Sequence, residues 1–155
     1  MEKIIEIIRR YGLQFFNGDH KEKTLRQLLE ELNKILKLDI KFIFNENKEL
    51  YYLTGGGRYN PNKRTIYLYK LSLMSLLHEF SHVFTASETE AQKMSHYLFK
   101  TALPDKYENA RKKKLFHHFL SDEEIKEGEI LFKKYLNELL KWEDNYKKEL
   151  LNSAF

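Results

Sequence analysis

A chain of 155 residues is long enough for one well-buried core and too short for two ordinary domains. Its 42% hydrophobic and 32% charged content fits a folded globular chain and excludes a disordered one. The 27 basic and 23 acidic residues leave a net charge of only +4, scattered along the sequence, which argues against a nucleic-acid-binding surface.

The absence of cysteine excludes disulfides and thiolate metal sites, so any metal must rest on His, Asp or Glu. No run nears the ~18 apolar residues of a bilayer span. Glu2 and Glu6 within MEKIIEIIRR are wrong for a signal peptide, and a cytoplasmic location is expected.

In chain order, residues 2–12 place Ile4, Ile5, Ile7 and Ile8 at helical spacing, with Gly12 as a natural stop. A turn at Asn17-Gly18-Asp19 leads to a second helix over about 23–37, striped with Leu25, Leu28, Leu29, Leu32 and Ile35. The pair lacks the distinct turn and base-reading helix of a DNA-binding unit, so a helical layer packed on a sheet is expected. Three strands are expected next: 39–44 with alternating Ile40, Phe42 and Phe44, then Leu50-Tyr51-Tyr52-Leu53, then 65–69. Tight turns between them predict a small antiparallel sheet, with a mixed one as the alternative. The run Gly55-Gly56-Gly57 lacks the lysine of a phosphate-binding loop and is read as a place for backbone bending or close approach.

The stretch 71–84 predicts a helix carrying His78-Glu79-Phe80-Ser81-His82, an HExxH sequence. Residues four apart on a helix lie within ~40° of one another, so both imidazoles can face one metal ion with Glu79 beside it. Leu73, Leu76, Leu77, Phe80, Val83 and Phe84 fall on the opposite side, the phase needed to bury one face and open the other. Ser87 predicts the N-cap of a further helix over about 88–103, joined by a loop short enough to set the two helices antiparallel. Beyond Pro104, a helix is expected over about 107–120, with Arg111-Lys112-Lys113-Lys114 as a solvated face and His117-His118 too divergent to chelate. The box Ser121-x-x-Glu124 should open a long final helix, with Ile125, Ile130, Leu131, Tyr135, Leu139 and Trp142 on its apolar positions.

Hydrolytic zinc takes three protein ligands and leaves a fourth position for water. His78 and His82 supply two. Glu88 lies six residues past His82, the metzincin spacing, but Thr85 stands where metzincins turn on glycine. Glu90, in the first turn of the adjacent helix, offers the gluzincin solution and is the favoured ligand, although Ser87-x-x-Glu90 is also a capping box in its own right.

HEFSH followed by SETEAQKMSHYLF resembles the ImmA/IrrE family of gluzincin-type metallopeptidases, with Glu90, Ala91, Met94, Ser95, Leu98 and Phe99 matching its second motif. Residues 58–69 resemble the family's strand before the active helix, so the likeness covers about 58–99. The gap between His82 and Glu90 is short for the family, and Thr101 replaces its usual proline.

Length and element order predict one α+β unit, 1–155, with a core over about 38–103 and helical extensions at 1–37 and 104–155, and the resemblance implies that this unit is zincin-like. It implies one Zn²⁺ on His78, His82 and Glu90, Glu79 as general base, and a peptide or protein substrate, with a regulatory protein as one class of target. Tyr59, His96 and Tyr97 are candidates for stabilising the oxyanion. The strand with Tyr67 and Tyr69 is expected to offer an edge to an extended peptide. The competing expectation is a catalytically inactive binding or regulatory module on the same fold. Oligomeric state is not legible.

Overall fold

The computed structural model describes residues 1–54, 56–116 and 118–153, with side chains throughout except at 52, 54 and 142–153. Its elements are α1 (Glu2–Asn17), α2 (Lys21–Leu36), β1 (Lys41–Phe44), α3 (Lys48–Thr54), β2 (Gly57–Asn60), β3 (Thr65–Leu68), α4 (Leu73–Ser81), α5 (Glu88–Ala102), α6 (Pro104–Lys112) and α7 (Asp122–Ser153). The class is α+β, and the sheet is mixed.

Helix α1 buries Ile4, Ile5, Ile7, Ile8 and Phe15. It does not stop at Gly12. A Cβ there would run into the Leu103 and Leu73 side chains, so the glycine serves close helix packing rather than termination. Helix α2 ends at Lys37 in the left-handed region, φ 54°, whose N–H reaches the Asn33 carbonyl. The Asn33 amide also donates to the Ile40 carbonyl at 2.9 Å and accepts from the Ile40 N–H at 3.2 Å, which fixes the approach to β1.

The strand expected at 50–53 is helix α3. Asn47 explains the difference: its side chain accepts the Leu50 N–H at 3.1 Å and its carbonyl accepts the Tyr51 N–H at 2.9 Å. A local capping signal therefore outweighs the β-propensity of Leu-Tyr-Tyr-Leu. The second strand is displaced to 57–60, and the order becomes β1-β3-β2, with β1 parallel and β2 antiparallel to β3. Because β3 has a hydrogen-bonded neighbour on each side, the strand with Tyr67 offers no free edge, contrary to the sequence expectation. Tyr69 follows β3, is buried, and donates its N–H to the Gly56 carbonyl. The outer strands are β1 and β2.

Helix α4 is capped by Ser72, whose hydroxyl accepts the Ser75 N–H; it buries Leu73, Leu76, Leu77 and Phe80 and packs against β2 and β3. Helices α5 and α7 form the most extensive interface. Gly128 makes it possible, since a Cβ there would collide with the Lys93 carbonyl. Ser121 and Glu124 form the expected capping box at 3.2 Å in both directions. Among the described residues of α7 the buried apolar side chains are Ile125, Phe132 and Leu136, whereas Ile130 is 68% exposed and the Trp142 side chain lies outside the described residues.

Helix α6 is shorter than expected. It ends at Lys112, and Lys114 takes φ 56°, which turns the chain so that Phe116 packs on Tyr107 and His96. His117 lies outside the described residues. No helix among the described residues is long and apolar enough to cross a membrane.

Candidate metal centre

The last turn of α4 brings the HExxH side chains together. His78 and His82 stand edge to face with ring centroids 4.9 Å apart. Glu79 is buried, with a carboxyl oxygen 3.9 Å from His78 Nε2. The helix closes at Ser81. His82 is its C-cap, and two tight bonds, Val83 N–H to Phe80 O and Phe84 N–H to Ser81 O, fold the chain back at once.

That reversal has two effects on the imidazoles. The Thr85 carbonyl arrives 3.0 Å from His82 Nδ1, and Glu88, the first residue of α5, reaches across the turn. Its two carboxylate oxygens lie 3.0 Å from His82 Nε2 and 3.0 Å from His78 Nε2. Glu88 therefore spans the pair.

Glu90 is placed elsewhere. Its Oε1 accepts from the Thr85 hydroxyl at 2.7 Å and from the Tyr135 hydroxyl of α7 at 2.6 Å, and these two bonds lower its pKa. The capping box expected of Ser87-x-x-Glu90 is half formed. Ser87 Oγ accepts the Glu90 N–H, while the Ser87 N–H goes to Thr85 Oγ1 instead of to Glu90.

Burial dominates the electrostatics. It pushes the Glu79 carboxyl from its ordinary 4.5 up to about 7, opposed by His82 and reinforced by Glu88. Burial likewise lowers His78, with Glu88 opposing. A carboxyl poised near neutrality beside two imidazoles can take up and release a proton at physiological pH.

The site opens into a cleft of ≈ 470 Å³ walled by Gly57, Arg58 and Tyr59 of β2 with Pro61 on one side and by 83–86 on the other, with Glu79, His82 and Glu88 at its floor. Gly57 permits this closeness. A Cβ there would meet the Tyr67 carbonyl at 2.6 Å, Leu68 Cδ2 at 2.7 Å and Glu79 Cγ at 3.3 Å.

Of the three oxyanion candidates, the structure brings only Tyr59 into the cleft. His96 is buried, its Nδ1 2.8 Å from the Tyr107 hydroxyl, and burial depresses its pKa to about 4. Tyr97 is buried toward α7, within range of Glu129 and Lys133. Sequence reasoning missed Arg58 as a wall of the cleft and Tyr135 as the partner of Glu90. It also gave His118 no role, although that ring stands near enough to His78 and His96 to lower both. Only the strand period could have signalled Arg58. Tyr135 comes from an element 45 residues away and left no local mark.

The donor set fits a metal ion. Ligand atoms of His78, Glu79 and His82 lie within 4.8 Å of one another. A neutral His82 that donates from Nδ1 to Thr85 leaves a lone pair on Nε2. That lone pair points at a carboxylate oxygen 3.0 Å away. Two acceptors at that distance need a cation between them, either a proton or a metal. Two imidazoles plus a carboxylate can hold a divalent metal ion. Comparison with known protein families, curated proteins and solved structures finds no match to this chain.

Proposed function

We propose that the chain is a zinc-dependent metallopeptidase that hydrolyses peptide bonds in a peptide or protein substrate. One observation carries the reading: the buried Glu79 carboxyl, held near pKa 7, lines an open cleft together with His82, and His78 stands against both. A structural helix has no use for that grouping, because burying a carboxyl and two imidazoles together costs stability unless chemistry or a ligand compensates. His78, His82 and a carboxylate of the first turn of α5 would hold a single Zn²⁺, which when bound supplies Lewis acidity toward the scissile carbonyl and the attacking water.

The chain's own groups supply the rest. Glu79 takes the proton from the water and delivers it to the leaving amine, a double duty that suits a carboxyl near neutrality. The outer edge of β2 offers N–H and C=O groups to an extended substrate backbone laid along the cleft. Tyr59, on the same wall, is placed to donate its phenol toward charge developing on the carbonyl oxygen. Its burial raises its pKa, which keeps the phenol protonated. Membership of the ImmA/IrrE family, with a regulatory protein as target, belongs to the same proposal and rests only on the resemblance of residues 58–99.

The deciding experiment measures zinc stoichiometry in the purified chain and cleavage of a peptide library by wild type and Glu79→Gln. One zinc per chain, with cleavage abolished in Glu79→Gln, is expected. A zinc-free, folded wild type, or equal cleavage by the two proteins, would sink the reading and favour a non-catalytic binding module.

A further inference from the structure

We infer that Glu88 is the third protein ligand, and that Glu90, which the sequence motif favours for that role, instead orients the turn that positions the ligands. The inference rests on the metallopeptidase reading above and concerns how this chain completes its site.

The geometry decides between the two carboxylates. Consecutive helical residues are separated by ~100°, so positions two apart project ~200° from one another. Glu88 and Glu90 both belong to the first turn of α5 and must therefore face opposite ways. Glu88 faces the imidazoles, and Glu90 faces α7. Zinc bonds of about 2.0–2.2 Å set tetrahedral ligand atoms roughly 3.3 Å apart. One Glu88 oxygen is 3.0 Å from His82 Nε2 and the other 3.0 Å from His78 Nε2, so the carboxylate lies close to that spacing from each ring. Glu90 Oε1 is instead held by hydrogen bonds of 2.7 and 2.6 Å from the Thr85 and Tyr135 hydroxyls.

Those two bonds give Glu90 a different function. Tyr135 of α7 donates to Glu90, Thr85 also donates to Glu90, and the Thr85 carbonyl lies against His82 Nδ1. The chain Tyr135–Glu90–Thr85–His82 runs from the long helix to a metal-facing imidazole. Glu90 thus acts as a positioning residue. It holds the peptide whose carbonyl sets the His82 tautomer and ring angle. The short connection after His82 lets this happen, because α5 begins so early that its first residue, not its third, lies over the imidazole pair.

The test uses the full chain stripped of metal, titrated with Zn²⁺ against a chromogenic chelator, and separately loaded with Co²⁺ for its visible spectrum. Wild type should bind one equivalent. Since losing an outer partner of a metal ligand costs about 10–100-fold in affinity, losing the ligand in Glu88→Gln or Glu88→Ala should cost at least about 100-fold. It should also replace the Co²⁺ absorption pattern. Glu88 is 67% exposed, so both variants should fold, which circular dichroism checks.

Glu90→Gln and Tyr135→Phe should each weaken zinc by no more than about 100-fold and shift the Co²⁺ bands in the same way. The double variant should resemble either single one, because both break the same chain of bonds. Zinc lost in Glu90→Gln but kept in Glu88→Gln would overturn the assignment, as would equal loss in both. Unchanged Co²⁺ bands in Glu90→Gln and Tyr135→Phe would overturn the positioning role. A wild type that binds no zinc would fail the metallopeptidase reading itself, a result recognisably different from either of these.

Discussion

Replacing His96 by Phe tests whether that histidine is packing rather than chemistry. Its ring is buried against Phe116 and Tyr107, with centroids 5.0 and 5.7 Å away, and its Nδ1 is 2.8 Å from the Tyr107 hydroxyl. Burial, with His78 and His118 adding to it, depresses the pKa from 6.5 to about 4. The unfolded chain therefore binds this proton first as pH falls. The stability contributed by keeping the ring neutral is fully present above pH 6.5 and is lost progressively as pH falls toward 4. A shift from 6.5 to about 4, at ~1.4 kcal/mol per pH unit, amounts to about 3 kcal/mol. That is a large share of the 5–15 kcal/mol typical of a whole domain.

At pH 7.5 the Phe variant should be less stable than wild type by about 1–3 kcal/mol, because the Tyr107 hydroxyl loses its partner. Between pH 6.5 and 4 that deficit should shrink by about 3 kcal/mol, and the two stability curves should converge or cross. Urea unfolding of both proteins at pH 7.5, 6, 5 and 4 measures it. Parallel curves would refute the reasoning. Peptide cleavage adds a second check: a histidine outside the cleft should leave the turnover of the folded variant within a few-fold of wild type.

In metal-free protein, Glu79→Gln should also change the pH profile, with the opposite sign. The raised Glu79 pKa means that its stability is present below pH 4.5 and lost as pH rises through about 7, so the variant should gain on wild type by about 3 kcal/mol across that window, by urea unfolding in chelator. Gly57→Val should cost about 1–3 kcal/mol in thermal unfolding, since branched carbons would press on the Tyr67 carbonyl and on the Glu79 side chain, and cleavage should fall further than stability. Chelator treatment of the wild type should lower its melting temperature, and zinc at about 1,000 times its dissociation constant should restore about 4 kcal/mol, whereas Glu88→Gln should regain little.

What the sequence could convey follows from the range of each interaction. Helix α5 was legible nearly to the residue because both its signals are local: Ser87 caps it and Pro104 follows its end. The imidazole pair was legible because a four-residue helical spacing fixes it without reference to the rest of the chain. The choice between Glu88 and Glu90 was not. It depends on where α4 stops, and α4 stops at Ser81, before the Phe84 that its apolar pattern suggests. The apolar pattern continues because Phe84 still packs inward, on Phe80 and Phe132, from the turn. The second strand was misplaced for a related reason. Leu50-Tyr51-Tyr52-Leu53 has strand composition, and only the Asn47 cap, a signal three residues upstream, makes it a helix.

The elements at the site are too small to hold it alone. Strands of four residues and a nine-residue α4 are each marginal in water without packing partners. The turn between α4 and α5 is held from outside through its own Phe84, which sits edge to face with Phe132 of α7 at 5.6 Å and stacks on Tyr135 at 6.5 Å. Phe132 is fully buried, so Phe132→Ala should cost about 3–5 kcal/mol, and Phe132→Leu, which keeps much of the volume, far less.

If α7 only adds to the core, the folded fraction of Phe132→Ala will bind zinc as wild type does. If α7 sets the turn, zinc affinity will fall along with stability, and Phe132→Leu will restore both. The second result is expected, because Phe84 and Thr85 are adjacent and the Thr85 carbonyl is what orients His82. Unchanged affinity in Phe132→Ala would mean that the turn holds its shape through α4 and α5 alone, and that the long helix has no part in the chemistry.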